Sequence, residues 1–472
     1  MRIVTLLLAA LLLAPPPAAA QLDLSLPDMG TPAADVLSPT DEARIGEQMM
    51  REIRREVDLV EDPAVAAYVR DLGRRIAGSS SAPAGEYQFF VIDDPRINAF
   101  AMPGGYIGLH SGLITAARTE SELASVIAHE LAHVTQRHIA RRIAAGQQSS
   151  LRTAALVLAG LLLSTQDPQA GMAAATSGMA SGIESQLAYS RDHEREADRV
   201  GLRMLADAGF DPEGMPDFFA TLLESGRYRS APPPFLSTHP LTEARIADAR
   251  SIAREMTVSD PFESPGFALM RARLEALLAE DPDEALARFR ARLEKSGDDP
   301  GAQYGLAVLQ RRLGETEAAS ERLRALLAQD GEHAAYYLAL AETASAAERS
   351  EEALDWLEEG LSLFPEDPAL AYRRVEILLA AGRPAQGLAV ASQLTRDNPD
   401  APELWRLRAR AASAANDEAE SALSMAQYYA VQGDLRAGLS QLDRISPSAS
   451  GSQRARADAL RERWESAIAP PG

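Results

Sequence analysis

Ala285, Ala319, Ala353 and Gly387 recur every 34 residues, each inside a helical stretch that follows another helix and a short turn. The same period links Tyr337, Ala371 and Trp405 in the first helices, and Pro365 with Pro399 where second helices end. Gly314 and Gly382 mark the inter-helix turn two periods apart. A helix–turn–helix unit of this length, with small residues where helices cross, is the tetratricopeptide pattern. One unit cannot bury its own apolar face, so neighbours must stack into an α-solenoid, whose concave groove suits protein partners. Four units fit, starting near 266, 300, 334 and 368. Beyond 402 the period slips, because the next turn, Gln432-Gly433-Asp434, comes half a repeat out of phase. Residues 402–445 therefore read as an irregular capping unit of three helices, and the rest as helix and then a disordered tail.

The chain of 472 residues is too long for one core, and its first half carries a different signal. His129-Glu130-Leu131-Ala132-His133 is an H-E-x-x-H motif inside a helical run. Thr119 and Glu122 open that helix as a capping box, and Leu123, Val126, Ile127, Leu131 and Val134 give it an apolar stripe. Residues four apart project from nearly the same helix face, so His129 and His133 have the spacing at which two imidazoles bind one zinc ion. Glu130 lies about 100° round the helix, within reach of a water at the metal but badly placed as a ligand. Its expected work is to take a proton from that water and pass it to a leaving amine.

Two histidines need a further ligand, and a carboxylate is the usual complement. Ser190-Arg191-Asp192-His193-Glu194-Arg195-Glu196-Ala197-Asp198 supplies candidates: Glu194 and Asp198 share a helix face, and the second of such a pair can hold a ligating histidine by its other ring nitrogen. Glu196 lies about 200° round from Glu194, so both cannot face one ion. A solvated charged helix is the plainer interpretation of this stretch alone; beside H-E-x-x-H it loses ground. His138 stands about 180° from His129 on a continuous helix and cannot reach the same ion. Gln136 and Ile139 occupy the places where a metzincin needs glycine and a third histidine. His193 and His110 read as ordinary histidines. His239, in a loop before a helix from about Thr242 to Met256, is either an ordinary loop residue or a fourth zinc ligand closing the site.

Thr40 is expected to cap a helix to about Val57, and Asp62-Pro63 to open a second to about Gly78. Glu86 to Asp94 reads as a strand, and Asn98–Met102 with Tyr106–Leu109 as a hairpin joined through Pro103-Gly104-Gly105. A strand of Asn98, Ala99, Phe100 and Ala101 beside a zinc helix could take an extended peptide onto its edge; a plain structural hairpin is the equal alternative. The insertion at 151–180 has an apolar core of ten residues, Ala154 to Leu163, too short to span a membrane. An interfacial helix, a flap and a core helix all suit it, a mobile cover best.

Residues 1–20 carry Arg2, an apolar stretch and Ala18-Ala19-Ala20, the marks of an export signal cleaved near Ala20–Gln21. A chain without cysteine fits an oxidising compartment, read as the periplasm, with no disulfides and no lipid anchor. A net charge of −21 argues against nucleic acid or anionic lipid as partner.

With Asn98-Ala-Phe-Ala-Met-Pro-Gly-Gly105, Ser190-Arg-Asp-x-Glu194-x-Glu-Ala-Asp198, and Thr238-His239-Pro240 followed by Arg245, the chain resembles the HtpX- and BepA-like zinc metallopeptidases, in the periplasmic form with a tetratricopeptide tail. The resemblance covers nearly all of the mature chain. It implies one Zn2+ per chain held by His129, His133 and Glu194, Glu130 as the catalytic carboxylate, Asp198 as the support behind a ligand, and His239 as a reversible plug. It further implies cleavage of misfolded or stalled outer-membrane proteins, a chaperone-like role in their assembly, and contact with the barrel-assembly machinery through the repeat groove. The expected fold is mainly α with a small β-sheet: a zincin-type α+β metallopeptidase domain at 39–262, then an α-solenoid of tetratricopeptide repeats at 263–465. A leader at 1–20, a flexible arm at 21–38 and a disordered tail at 466–472 flank them, with no transmembrane span after cleavage. An assembly scaffold with a latched metal site is the alternative function.

Overall fold

The computed structural model describes residues 37–79, 87–145, 191–227, 233–297 and 299–468. The leader, nearly all of the arm, the insertion at 151–180, Ser190 and the last four residues of the tail lie outside the described residues.

Helix α1 spans Pro39–Glu56 and begins two residues earlier than expected: Ser38, not Thr40, is the cap, its Oγ accepting from the Asp41 amide at 3.1 Å. Pro39 explains the shift, since its fixed φ suits a first turn that needs no amide donor. Helix α2, Pro63–Ser79, starts where Asp62-Pro63 placed it, with the Val65 amide on Asp62 Oδ1 at 3.1 Å.

Three strands follow: β1 Gln88–Ile92, β2 Ala99–Met102 and β3 Tyr106–His110. Their order is β1-β3-β2, with β3 parallel to β1 and antiparallel to β2. The hairpin turn is one 3-10 turn at Pro103–Gly105, in which Gly104 takes φ 77°. Strand β2 is an edge by topology, yet all four of its residues are buried.

The helices α3 Ser111–Ala116, α4 Glu120–Thr135, α5 His138–Ala145, α6 Arg191–Asp207, α7 Gly214–Arg227, α8 Pro234–Thr238 and α9 Glu243–Glu255 complete the first unit. Every residue of α4 from Glu120 to His133 is buried, so the helix runs through the core rather than lying on it by one stripe. The Thr119 hydroxyl accepts from the Glu122 amide at 3.1 Å; the Glu122 carboxylate reaches back to the Arg118 amide at 2.9 Å, one residue beyond the cap.

The solenoid consists of helix pairs. These are α10 Pro265–Leu277 with α11 Pro282–Ser296, α12 Pro300–Arg312 with α13 Thr316–Asp330, and α14 Ala334–Ala346 with α15 Ser350–Leu363. Next come α16 Pro368–Ala380 with α17 Pro384–Asp397, and α18 Pro402–Ala414 with α19 Glu418–Val431. The last pair is the previous one moved on by 34 residues at every boundary, so the period holds through Val431 and the expected slip at 402 is wrong. In the second to fifth pairs the turn carries one left-handed residue: Gly314 (φ 82°), Glu348 (φ 60°), Gly382 (φ 72°) and Asn416 (φ 60°). Only two are glycine, which hid the period from a search for glycine markers. The phase changes at α20 Leu435–Leu442, and α21 Gly451–Ile468 closes the end.

One apolar core runs from α2 and α4 into the repeats, joining Val65, Leu72 and Ile127 to Leu274, Tyr337 and Leu370. The first helices of the repeats face α2. Arg273 of α10 is fully buried between Asp62 and Glu342, at 2.7 Å from each. Further along, Arg70 pairs with Glu403, Arg74 with Asp400 at 2.6 Å, and Arg406 with Glu61 at 3.0 Å. The first helices of the repeats are thus in contact with the chain's own α2 and the residues just before it.

Candidate metal centre

Helix α4 presents His129 and His133 one turn apart, with Nε2 atoms 3.1 Å from each other. Helix α6 crosses behind them at Gly201, where a Cβ would stand 3.2 Å from the His129 backbone; a larger residue would push the helices apart. The crossing brings Glu194 to the imidazoles, Oε2 at 3.6 Å from His129 Nε2 and Oε1 at 3.5 Å from His133 Nε2. His239, just after α8, joins them with Nδ1 3.0 Å from Glu194 Oε1 and 3.3 Å from His129 Nε2. One ligand atom from each of these four buried residues lies within 4.8 Å of the others, the only such group among the described residues. Imidazole nitrogens with one carboxylate are a donor set that zinc favours.

Burial and the neighbouring imidazoles hold His133 far below its ordinary value, so it stays neutral, as a metal ligand must. Burial alone would raise Glu194, but His239, His129 and Arg245 hold its carboxyl below the ordinary value. Glu130 goes the other way: burial pushes it up against the pull of His239 and His129. Both Glu130 oxygens are buried without a well-formed hydrogen bond: His239 Nε2 stands 3.3 Å from Oε1, and the Ala101 backbone amide also helps to hold the carboxyl down. An acceptor in that state costs about 1–3 kcal/mol unless something donates to it, as a water beside the ligand group would. The residues present therefore fit a metal with a water next to Glu130.

The surrounding contacts are specific. Asp198 Oδ1 is 3.1 Å from His129 Nδ1, the nitrogen that faces away from the group. Burial pushes Asp198 up, but His129 and Arg245 hold it below its ordinary value. Arg245, quoted in the motif without a role, bonds Asp198, stands 2.6 Å from Glu194 Oε2 and donates to the Pro240 carbonyl at 2.9 Å. The His239 ring stacks on Phe235 with centroids 4.6 Å apart. The Phe235 amide reaches the Ile97 carbonyl at 3.4 Å, which ties the loop to the start of Asn98–Ala101.

His138 was expected not to reach the same ion, and it is absent from the ligand group, but the helical-angle reason for that expectation fails. Helix α4 ends at Thr135, Arg137 takes φ 51°, and His138 begins a new helix, so angles counted along one continuous helix do not apply. It is no ligand of the group, but its Nδ1 lies 2.9 Å from His133 Nδ1. Burial pushes His138 down to about 4. His193 stacks on it at 4.4 Å. His110 is buried with Nδ1 3.3 Å from Asp94, apart from the group.

Comparison with known proteins agrees with this geometry. Peptidase family M48 matches residues 63–253, and tetratricopeptide repeats match 276–343 and 344–411. The chain is 35% identical over 430 residues to the beta-barrel assembly-enhancing protease of Escherichia coli K12, covering 89% of this chain and 87% of that one. This chain belongs to that M48 family. It is 37% identical over 413 residues to the putative beta-barrel assembly-enhancing protease of Vibrio cholerae, over 87% and 85% of the two chains. A mitochondrial metalloendopeptidase, OMA1 of Arabidopsis thaliana, is 30% identical over 205 residues, 43% of this chain and 39% of its own. As a member of M48 the chain is a metallopeptidase, followed by tetratricopeptide repeats.

Proposed function

We propose that the chain is a zinc-dependent endopeptidase of the bacterial periplasm that acts on misfolded or stalled outer-membrane proteins. The observation that carries the catalytic part is the buried group of His129, His133, Glu194 and His239 with the buried Glu130 carboxylate beside it. The substrate class is supported by the relatives' role as beta-barrel assembly-enhancing proteases, and export by the leader-like residues 1–20. We assign the peptidase unit to 39–262 and the repeats to 263–465.

In this proposal His129, His133 and Glu194 hold one zinc ion and Asp198 orients His129. When bound, zinc supplies a Lewis acid for the scissile carbonyl and makes water acidic enough to attack at neutral pH. Glu130 accepts the water's proton and returns it to the leaving amine. Asn98–Ala101 offers backbone hydrogen bonds to an extended substrate, so that recognition ignores most side chains. His239 is a removable fourth ligand that closes the site, and the repeats carry protein partners, the barrel-assembly machinery among them.

A second reading, an assembly chaperone with a latched site, draws on one observation: His239 lies inside the ligand group. Casein digestion by wild type, Glu130→Gln and His239→Ala separates the two. We expect loss of at least a hundredfold in rate for Glu130→Gln and a severalfold gain for His239→Ala, about the range of a general base and of an opened coordination position. Cleavage by Glu130→Gln at the wild-type rate would remove the peptidase reading.

A further inference from the structure

Each of the two ligand-group imidazoles on α4 has a second nitrogen that faces outward. For His129 it faces Asp198. For His133 it faces His138, and the contacts continue: His138 Nε2 stands 3.1 Å from Glu196 Oε2, and Arg141 Nη1 stands 2.8 Å from the same oxygen. His138 is fully buried, and its ring is packed against His193 in a near-parallel stack. Glu196, by contrast, is half-buried, at the outer end of the chain of contacts.

With a metal on His133 Nε2, one arrangement of protons satisfies these contacts. Two imidazole nitrogens 2.9 Å apart need one donor and one acceptor. If His133 turns the lone pair of Nε2 toward a metal, its proton sits on Nδ1 and must be donated to His138 Nδ1. The proton of a neutral His138 then sits on Nε2, where it faces a carboxylate that can only accept. Glu196 thus selects the tautomer of His138, and His138 selects that of His133. A carboxylate behind a ligating histidine does this in one step; here an imidazole is interposed.

We propose that His138, fixed by Glu196, is a positioning residue that holds the ring and tautomer of the metal ligand His133. This rests on the metal-centre reading. It gives a use to Glu196, which the motif Glu194-x-Glu196 places on the opposite side of α6 from the ligand carboxylate, and to a histidine that helical spacing had set aside.

The test uses the full mature chain, with zinc affinity measured by competition with a chromogenic chelator and the visible spectrum recorded after loading with cobalt(II). We expect His138→Phe to weaken zinc binding by about 10–100-fold, the range for partners of ligating histidines, and to shift the cobalt bands. Glu196→Ala should give a smaller loss in the same direction, and Glu196→Gln should recover most of it, because the amide oxygen still accepts from Nε2. Glu196 is half-buried, so this pair reads out the effect even if His138→Phe fails to fold. Wild-type affinity and spectrum in Glu196→Ala and in folded His138→Phe would overturn this proposal and leave the metal centre standing. Absence of tight zinc binding in wild type would overturn both.

Discussion

Arg245 grips Asp198 through two parallel hydrogen bonds, Nε to Oδ2 at 2.8 Å and Nη2 to Oδ1 at 2.7 Å. Its remaining nitrogen lies between Glu194 Oε2 and the Pro240 carbonyl. One buried guanidinium therefore joins the carboxylate of the ligand group, the carboxylate behind His129 and the loop that carries His239. A planar fork with five donors can serve three acceptors at once, and a lysine ammonium cannot reproduce that geometry.

Arg245→Met is expected to cost about 3–5 kcal/mol of stability, because it strands buried carboxylates without their partner. Zinc affinity should fall by about 10–100-fold as Asp198 and Glu194 lose their orientation. Urea unfolding and chelator competition measure the two effects separately. Arg245→Lys should recover little of either.

The junction between peptidase and repeats predicts a pH dependence. Burial would raise Glu342, but Arg273, Arg311 and Arg373 hold it far below its ordinary value of 4.5. A depressed folded value contributes stability that is fully present above the unfolded value, and that stability is lost as pH falls toward the folded one. Glu342→Gln should therefore lower the melting temperature at pH 7, by about 3 kcal/mol in free-energy terms, and lose less than wild type below pH 4.5. Melting curves at pH 3.5, 5 and 7 check it; parallel pH profiles for the two chains would contradict it.

Glu348 holds φ 60° at the turn where Gly314 and Gly382 stand in other repeats. A left-handed conformation costs a residue with Cβ about 1–2 kcal/mol, and glycine returns part of that gain as unfolded-state entropy. Glu348→Gly is expected to stabilise the solenoid by about 1 kcal/mol net, and Gly382→Ala to destabilise it by a similar amount. Chemical denaturation of both variants measures the difference.

Much of the architecture was legible because it depends on short-range spacing. The four-residue step of His129 and His133, the Thr119 cap and the 34-residue period all survive in the folded chain. Failures arose where a backbone break or a substitution hid the pattern. The continuous helix assumed beyond Thr135 breaks at Arg137, so the angle counted to His138 does not apply and its contact with His133 had no signal. Asn416 does the work of glycine in the fifth turn, so a regular repeat looked irregular. Contacts between distant segments, such as Arg273 with Asp62 and Glu342, carry no local signature at all. A single buried arginine in a helix looks like any other until tertiary packing surrounds it.

Metal content of the purified mature chain and of its His133→Ala and Glu194→Ala variants tests the centre most directly, by elemental analysis after exhaustive dialysis. The expected result is about one zinc per wild-type chain and far less in either variant, since two of the three permanent ligands with the removable His239 hold the ion poorly. Wild type without zinc, or both variants holding as much as wild type, would contradict the assignment.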